Sequence, residues 1–306
     1  MQKKSLVSSL LLLITAIVWG VAFVAQQVGM EHVGPFTFNA ARYFIGSAVL
    51  LPVIALRARK SQPKTAAQEA DKRTLYLGGA LCGAALFAAS SFQQIGIQFT
   101  TVGKAGFITA CYIVLVPVFS LFLGRKCSKL VVISVALAVA GLYLLCMTEG
   151  LSVGAGDLLV LACAALFAVH ILVVDAYAPC TDCVKLSCIQ FFTAGVCSLA
   201  VALFVEKVSF ESLTGAAIPI LYAGVFSCGV GYTLQVIGQK GLDPTVASLI
   251  LSLESCVSVL AGWLILGQAL SARELCGCAA MFAAIILAQL PGGQKQDVSK
   301  KAQAGG

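Results

Sequence analysis

Apolar and polar stretches alternate along almost the whole chain, and the apolar ones are long. Each apolar stretch holds about 20 residues, which is the length that an α-helix needs to cross the hydrocarbon core of a bilayer. The pattern predicts ten spanning helices, at residues 5–25, 36–56, 74–96, 102–123, 129–147, 156–177, 186–205, 215–238, 244–266 and 273–290. We therefore expect an all-α fold, a polytopic membrane protein of ten transmembrane helices.

The polar stretches are too short to hold a soluble domain of their own. The two longest cover residues 57–73 and 291–306. Lys, Gln, Gly and Ala dominate the second stretch, and such a composition buries too little apolar surface to fold. We predict that residues 291–306 form a disordered cytoplasmic tail.

The composition indicates that lipid surrounds much of the chain. Of its 306 residues, 59% are hydrophobic and 11% are charged, whereas a soluble domain carries about 25% charged residues. A soluble protein of this length could not bury so much apolar surface. The 13 cysteines are scattered through the apolar stretches, which indicates small buried side chains and not a disulfide framework.

Basic residues collect on one side of the predicted topology. With the N-terminus in the cytoplasm, 16 of the 20 Lys and Arg residues fall on the cytoplasmic side. Lys104, Lys207 and Arg273 fall on the other side, and Arg42 lies within a helix. Cytoplasmic loops carry such an excess of Lys and Arg. We therefore expect a bacterial-type inner-membrane protein with both termini cytoplasmic, and no nucleic-acid partner for the net charge of +7.

The two halves of the chain resemble each other at an offset of 142 to 148 residues. Residues 92–96 (Phe-Gln-Gln-Ile-Gly) echo residues 234–238 (Leu-Gln-Val-Ile-Gly), and Trp19-Gly20 lines up with Phe167-Ala168. The pattern predicts one repeat at residues 1–147 and a second at 148–290.

Each predicted repeat holds five helices, and an odd number inverts the second copy relative to the first. Inverted-topology repeats place a substrate site near the bilayer midplane, at the interface between the two copies. Two such halves can exchange conformations, so that one site opens to each side of the membrane in turn. This arrangement favours a transporter.

Several motifs resemble those of the drug/metabolite transporter superfamily, EamA type. They stand at residues 19–23, 34–36, 41–43, 103–109, 253–254 and 266–267. The resemblance covers roughly residues 10 to 290 and implies a central cavity lined by both halves, with export or exchange of metabolites, amino acids or drugs. One departure is Ser255, which stands where the family carries Pro. It predicts a ninth helix that is less kinked.

Ionisable residues in the bilayer core are costly, so they face a cavity or a partner. Glu254 is the carboxylate placed deepest, near the middle of the ninth predicted helix. It could bind a cationic substrate or carry a proton, since burial favours the neutral form of a carboxyl group. The alternative is a neutral carboxyl group that is hydrogen-bonded to a neighbouring helix.

Two basic residues have alternative structural and substrate-binding roles. Arg42 lies two turns inside the second predicted helix. It could bind a substrate carboxylate, pair with Glu254, or hold helix-end carbonyl groups in a structural role. Lys104 begins the fourth predicted helix and could bind an anionic substrate or extend outward to the interface.

Other polar and aromatic residues of the predicted helices are candidates for the cavity wall. Amide and imidazole groups suit a polar wall or contacts between helices, and aromatic rings can stack on a substrate or pack in the interior. The candidates are Trp19, Gln93, Gln94, Tyr112, His170, Tyr232 and Gln235. Pro117 in the fourth helix is a candidate hinge, although it could also be a static kink.

The sequence offers little for catalysis. Cys180-Thr181-Asp182-Cys183 is a C-x-x-C motif without two further ligands nearby, so we expect no metal site. We find no P-loop, no H-E-x-x-H motif and no Gly-x-Ser-x-Gly nucleophile elbow, and we expect no cofactor.

The sequence therefore predicts a secondary transporter, an exporter or exchanger of small molecules, that works by alternating access with Glu254 as its proton carrier. Its expected partners are the small-molecule substrate and the lipid bilayer, and a homodimer is possible. The main alternative is an intramembrane enzyme that acts on a lipid or isoprenoid. A channel is a second alternative, but no ring of like charges is visible.

Overall fold

The structure, a computed structural model, describes residues 2–59, 67–100, 102–125, 127–146, 154–266 and 271–290. The regular secondary structure in these ranges is helical, with no β-strand. The helices are α1 Gln2–Gly29, α2 Pro35–Arg59, α3 Ala67–Gly96, α4 Val102–Ala110, α5 Tyr112–Phe122, α6 Lys129–Cys146, α7 Ala155–Tyr177, α8 Cys183–Val205, α9 Phe210–Gly215, α10 Ala217–Leu221, a π-helical segment Tyr222–Tyr232, α11 Thr233–Gln239, α12 Pro244–Leu251, α13 Glu254–Leu266 and α14 Ala272–Gln289.

These helices form ten apolar segments in the described part of the chain, as the sequence predicts. Eight are long and apolar enough to cross a membrane, and Lys129–Leu144 and Leu275–Ala288 are shorter. The fourth span consists of α4 and α5, the eighth runs from α10 through the π-helical segment to α11, and the ninth consists of α12 and α13. The predicted repeat boundary at 147/148 and the predicted tail at 291–306 lie outside the described residues.

The packing of the spans has the pattern of two inverted five-helix repeats. The first span (α1) packs against α13 of the ninth, and the sixth (α7) packs against α4 and α5 of the fourth. The second span contacts the eighth as the seventh contacts the third. The fifth and tenth spans pack against each other, as do the second and seventh. Exchanging the two halves reproduces every one of these contacts.

One helix crossing is built twice from equivalent residues. A Cβ added to Gly96 would lie 2.7 Å from Val160, and one added to Gly238 would lie 2.9 Å from Leu12. The two glycines are 142 residues apart and their two neighbours are 148 apart, which are the offsets seen in the sequence. Glycine permits this close approach because it has no side chain. Close packing of this kind holds membrane helices together, since lipid supplies no hydrophobic force to do so.

The fourth and ninth spans are both interrupted. The fourth breaks at Cys111 and the ninth at Ser252 and Leu253. The ninth span is therefore interrupted even though it lacks the family's proline, and the expectation of a smaller kink stays a prediction. Ser252 donates its hydroxyl to the carbonyl of Leu249 at 2.7 Å, and the amide of Leu253 turns back to Ile250 at 3.2 Å. Serine hydroxyls that bond to preceding carbonyls bend helices, and Ser252 makes such a bond at the interruption. Ser255, at the position of the family's proline, instead donates to the Gly106 carbonyl of the fourth span at 2.9 Å.

Two helix N-termini are stabilised in different ways. The N-terminus of α8 is capped from within, because Asp182 accepts the amide hydrogens of Val184 and Lys185 at 3.0 and 3.1 Å. The N-terminus of α2 is capped by Glu206, which follows α8. Its carboxylate accepts the amides of Phe36 and Thr37, both at 2.8 Å, and the Thr37 hydroxyl at 2.6 Å. Glu206 therefore ties the second span to the seventh, across the two repeats.

Candidate functional site

A cavity lies in the middle of the bundle, and the space there that no atom fills, its opening to solvent included, is about 440 Å³. Residues of both halves line it, from the first, second, third, fourth, sixth, eighth and ninth spans. They are Trp19, Ala22, Phe23, Gln26, Arg42, Gln93, Thr109, Tyr112, Phe167, Ile171, Ser227, Tyr232, Gln235 and Glu254.

Much of the cavity wall consists of equivalent positions from the two repeats. Two pairs are related by the offset of 148 and two by the offset of 142. They are Trp19 with Phe167, Phe23 with Ile171, Gln93 with Gln235, and Tyr112 with Glu254. Because both members of each pair face the same space, the cavity lies where the two halves meet.

Tyr112 and Glu254 form a direct contact in this wall. The Tyr112 hydroxyl donates to Glu254 Oε1 at 3.0 Å, and both side chains are almost fully buried. Tyr112 begins α5 and Glu254 begins α13, so each is the first helical residue after an interruption. One hydrogen bond thus joins the interrupted spans of the two repeats.

Arg42 brings a buried cation to the same cavity. Its side chain is 2% exposed. It donates one hydrogen bond, from Nη2 to Tyr43 Oη at 3.1 Å, and its guanidinium lies 4.8 Å from the Tyr43 ring centroid and 5.8 Å from that of Phe38. No ion pair joins Arg42 to Glu254, although both residues lie in the described ranges. Of the alternatives open from the sequence, the pairing with Glu254 is therefore wrong.

Aromatic side chains form one side of the cavity. Trp19 and Tyr232 pack with their ring centroids 4.4 Å apart, and Trp19 Nε1 donates to the Ser227 carbonyl at 3.3 Å. Tyr232 also packs edge-on against Phe191 and His170. These contacts fix the indole ring of Trp19 in the wall, where a bound molecule would touch it.

Two amides give the wall its neutral polar groups. Gln93 donates from Nε2 to the Thr109 hydroxyl at 3.3 Å. Gln235 Oε1 is buried and has no hydrogen-bond partner among the described residues. An unsatisfied buried acceptor is costly, and a donor on a bound solute would satisfy it.

Two predicted wall residues, Gln94 and His170, lie behind the wall. Gln94 is fully buried and donates from Nε2 to the Gln26 carbonyl at 3.2 Å. His170 Nε2 pairs with Gln190 Oε1 at 3.1 Å, and its ring packs against Phe167 and Tyr232. Neither side chain lines the cavity, but each contacts a residue that does.

The remaining predicted residues lie away from the wall or outside the described side chains. Lys104 is in α4, and its side chain is outside the described residues. Pro117 lies inside α5 and does not line the cavity. In the described part of the chain, no three His, Cys, Asp or Glu side chains are grouped to hold a metal ion.

The sequence did not identify every wall residue. Gln26, Thr109 and Ser227 were missed because single polar residues in apolar helices carry no local signal. Phe167 and Ile171 could have been found, because they are the repeat partners of Trp19 and Phe23.

This site has its parallel in a family of membrane transporters. The model of the EamA-like transporter family matches residues 6–147 and again residues 154–290. The chain belongs to this family, and it is a multi-pass membrane protein. Membership favours transport over catalysis.

Individual relatives agree with the family. An archaeal protein of Archaeoglobus fulgidus, named an uncharacterized transporter, is 29% identical over 94% of this chain and 87% of its own length. The uncharacterized transporter YoaV of Bacillus subtilis is 21% identical over 85% and 89%. A crystal structure shares the fold with a TM-score of 0.75, at 19% identity, over 93% of this chain and 97% of that one.

Proposed function

We propose that the protein is a secondary transporter that moves a small solute by alternating access, as an exporter or exchanger, with Glu254 as the proton-coupling residue. The observation that carries the proposal is the hydrogen bond from Tyr112 to Glu254. It joins the two repeats inside the cavity and at the interruption of both spans. A proton on the carboxylate weakens this link, because the bond then no longer has a charged acceptor. A substrate that competes for the carboxylate replaces the link, and the two halves are then free to rearrange.

The surroundings of the bond support this mechanism. Helix interruptions at the midplane of transporters are where ions and substrates bind, because they expose main-chain groups to a cavity. Here the breaks at Cys111 and at Ser252–Leu253 directly precede Tyr112 and Glu254. Each break is also a point at which a helix can bend when the cavity opens.

A lipid- or isoprenoid-modifying enzyme has less support. Such an enzyme needs its acid, base and nucleophile grouped at the membrane interface. The one described carboxylate in the cavity wall is bonded to a tyrosine in the middle of the bundle. We further propose an inner-membrane location with both termini cytoplasmic, which a reporter fused to the C-terminus tests. The homodimer stays a prediction.

The test of coupling is counterflow in proteoliposomes that are preloaded with pooled metabolites, at two pH values. We expect wild-type uptake to depend on the trapped pool and on pH. Glu254→Gln keeps counterflow and loses its pH dependence, because an amide cannot carry the proton. Glu211→Gln, at an exposed carboxylate of α9, is the matched control and keeps both properties.

Two outcomes contradict the proposal. If Glu254→Gln retains the pH dependence, Glu254 is a packing residue and not the proton carrier. If correctly folded wild-type protein shows no counterflow with any pool, secondary transport itself is wrong.

A further inference from the structure

Arg42 is a buried cation whose hydrogen-bonding capacity is mostly unused. A guanidinium carries five N–H donors, and the described residues accept one of them, at Tyr43 Oη. Arg42 Nε is buried and has no partner. No carboxylate forms an ion pair with Arg42 in the described part of the chain. An uncompensated charge at such depth is expensive, so an anion is expected to complete this site.

The equivalent position of the other repeat carries no charge. At the offset of 148, Arg42 corresponds to Gln190 and Tyr43 to Phe191. The rings of Tyr43 and Phe191 stack in parallel, with centroids 6.3 Å apart. The second and seventh spans therefore pack in the same way with a neutral amide at one position and a cation at the other. A purely structural role would not explain why one repeat carries the charge.

The chemistry of the wall selects the anion. Among the residues that the structure describes, Arg42 is the one cation in the cavity wall. Its planar fork matches the two oxygens of a carboxylate. A doubly charged phosphate would require a second cation, and Glu254 in the same wall opposes additional negative charge. The aromatic side formed by Trp19 and Tyr232 suits an apolar portion attached to the carboxylate.

We propose that Arg42 is the anion subsite of the cavity and that the substrate is a small solute bearing a carboxylate. This inference rests on the proposed transport function, because it assigns one end of the transported molecule.

The chain contains its own reporter for this site. Its two tryptophans are Trp19, in the cavity wall, and Trp263, which is 46% exposed on α13. Trp263→Phe leaves Trp19 as the single tryptophan. In this background, the emission of Trp19 is followed while matched probes are added to protein in lipid nanodiscs. The probes are butyrate, hexanoate, benzoate, phenylacetate, leucine and phenylalanine, each compared with its carboxamide.

We expect at least one acid to change the Trp19 emission with saturation, and its carboxamide to bind at least tenfold more weakly. Arg42→Gln removes this preference for the acid. The matched control is Arg273→Gln. The Arg273 guanidinium also lies over a tyrosine ring, 5.5 Å from the centroid of Tyr143, but it does not line the cavity. This control keeps the preference. If Arg42→Gln does not fold, Arg42→Lys keeps the charge, and we expect it to retain the preference with weaker binding.

Three results overturn the assignment: no acid binds, acid and carboxamide bind equally, or Arg42→Gln retains the preference. Counterflow of the bound acid separates this inference from the proposed function. Binding that depends on Arg42 without counterflow contradicts transport and leaves the subsite standing. Counterflow that Arg42→Gln carries out with an unchanged preference for the acid contradicts the subsite and leaves transport standing.

Discussion

The fourth and ninth spans have the same architecture and different chemistry. Each is interrupted near its middle, and each interruption is followed by a cavity residue, Tyr112 in one span and Glu254 in the other. The first residue donates a hydrogen bond and the second accepts it. The backbone of the two repeats is thus nearly symmetric, while the functional groups divide donor from acceptor. The symmetric backbone therefore forms the cavity, and the residues that differ between the repeats provide its functional groups.

The same contrast recurs away from the interruptions. Arg42 and Gln190 occupy equivalent positions, and only Arg42 lines the cavity. At the helix ends, Asp182 caps its own helix, whereas Glu206 caps a helix of the other repeat. In each case, equivalent positions of the two repeats differ in chemistry, so one repeat can serve as the control for the other.

The largest expected effect comes from Gly20 and its counterpart Ala168. A Cβ at Gly20 would lie 2.4 Å from the Cβ of Val257 and 2.7 Å from the Glu254 carbonyl oxygen. We expect Gly20→Ala to destabilise the protein by about 1–3 kcal/mol or more through overpacking, and Ala168→Gly to cost about 1 kcal/mol through helix propensity. Thermal unfolding of the solubilised protein measures both. Equal midpoints for the two variants would contradict the close contact at Gly20.

Tyr112→Phe comes next, because it leaves the buried carboxyl of Glu254 without its hydrogen-bond donor. Losing one partner of a buried bond costs about 1–3 kcal/mol. Glu254→Gln should cost less stability, because the amide oxygen can still accept from Tyr112. We expect Tyr112→Phe to lower the unfolding midpoint further than Glu254→Gln does, and the reverse order for the loss of pH-dependent counterflow. The same order in both assays would show that the two residues do not divide the roles of donor and proton carrier.

Removing the charge of the two capping carboxylates should have a smaller effect. Glu206→Gln weakens three charge-assisted bonds that join the repeats, and we expect a loss of about 1 kcal/mol. Asp182→Asn keeps a good capping residue at the start of a single helix, so a few tenths of a kcal/mol are expected. Unfolding midpoints of both variants, measured side by side, make the comparison. A larger loss for Asp182→Asn would mean that the cap across the repeats adds nothing.

The smallest effect is expected at the ion pair between Arg125 and Asp175, with Arg125 Nη1 2.6 Å from Asp175 Oδ2. It also joins the two repeats, but the Arg125 side chain is 37% exposed. Exposed pairs contribute about 0.2–1 kcal/mol and are screened by salt. Arg125→Gln should therefore lower the midpoint slightly at low salt and not at all at about 1 M salt, where the Debye length is roughly 3 Å. A loss that persists at high salt would point to packing of the arginine stem.

The sequence predicted the spans well, because their apolar lengths follow from the thickness of the bilayer. The second helix, predicted at 36–56, is observed at Pro35–Arg59. The rotation of each helix about its axis was harder to predict. The sequence offered both Gln93 and Gln94 as wall residues, and only Gln93 lines the cavity, because one residue turns an α-helix by about 100°. That rotation depends on the packing of neighbouring helices, which one sequence does not reveal.

The helix interruptions and the π-helical segment could not be predicted from the sequence either. The interruption at Ser252 coincides with a serine hydroxyl that bonds to a preceding carbonyl, but Ser248 makes the same kind of bond inside an uninterrupted helix. The serine alone therefore does not predict the break. The π-helical segment Tyr222–Tyr232 has no simple signature. The link between Tyr112 and Glu254 could have been anticipated from the offset of 142, but a tyrosine and a glutamate do not look like equivalent residues.

The contact between the first and eighth spans has a consequence for divergence within the family. Thr15 and Trp19 donate to the carbonyl oxygens of Gly231 and Ser227 in the π-helical segment, at 3.1 and 3.3 Å. A carbonyl oxygen remains in place whichever side chain its residue carries. A change of side chain at Ser227 therefore leaves its acceptor in place, whereas a change at Thr15 or Trp19 removes a donor outright. In an alignment of relatives, we expect Thr15 and Trp19 to be more constrained than Ser227, and Gly231 to stay glycine, because a Cβ there would lie 2.7 Å from Trp19 Nε1.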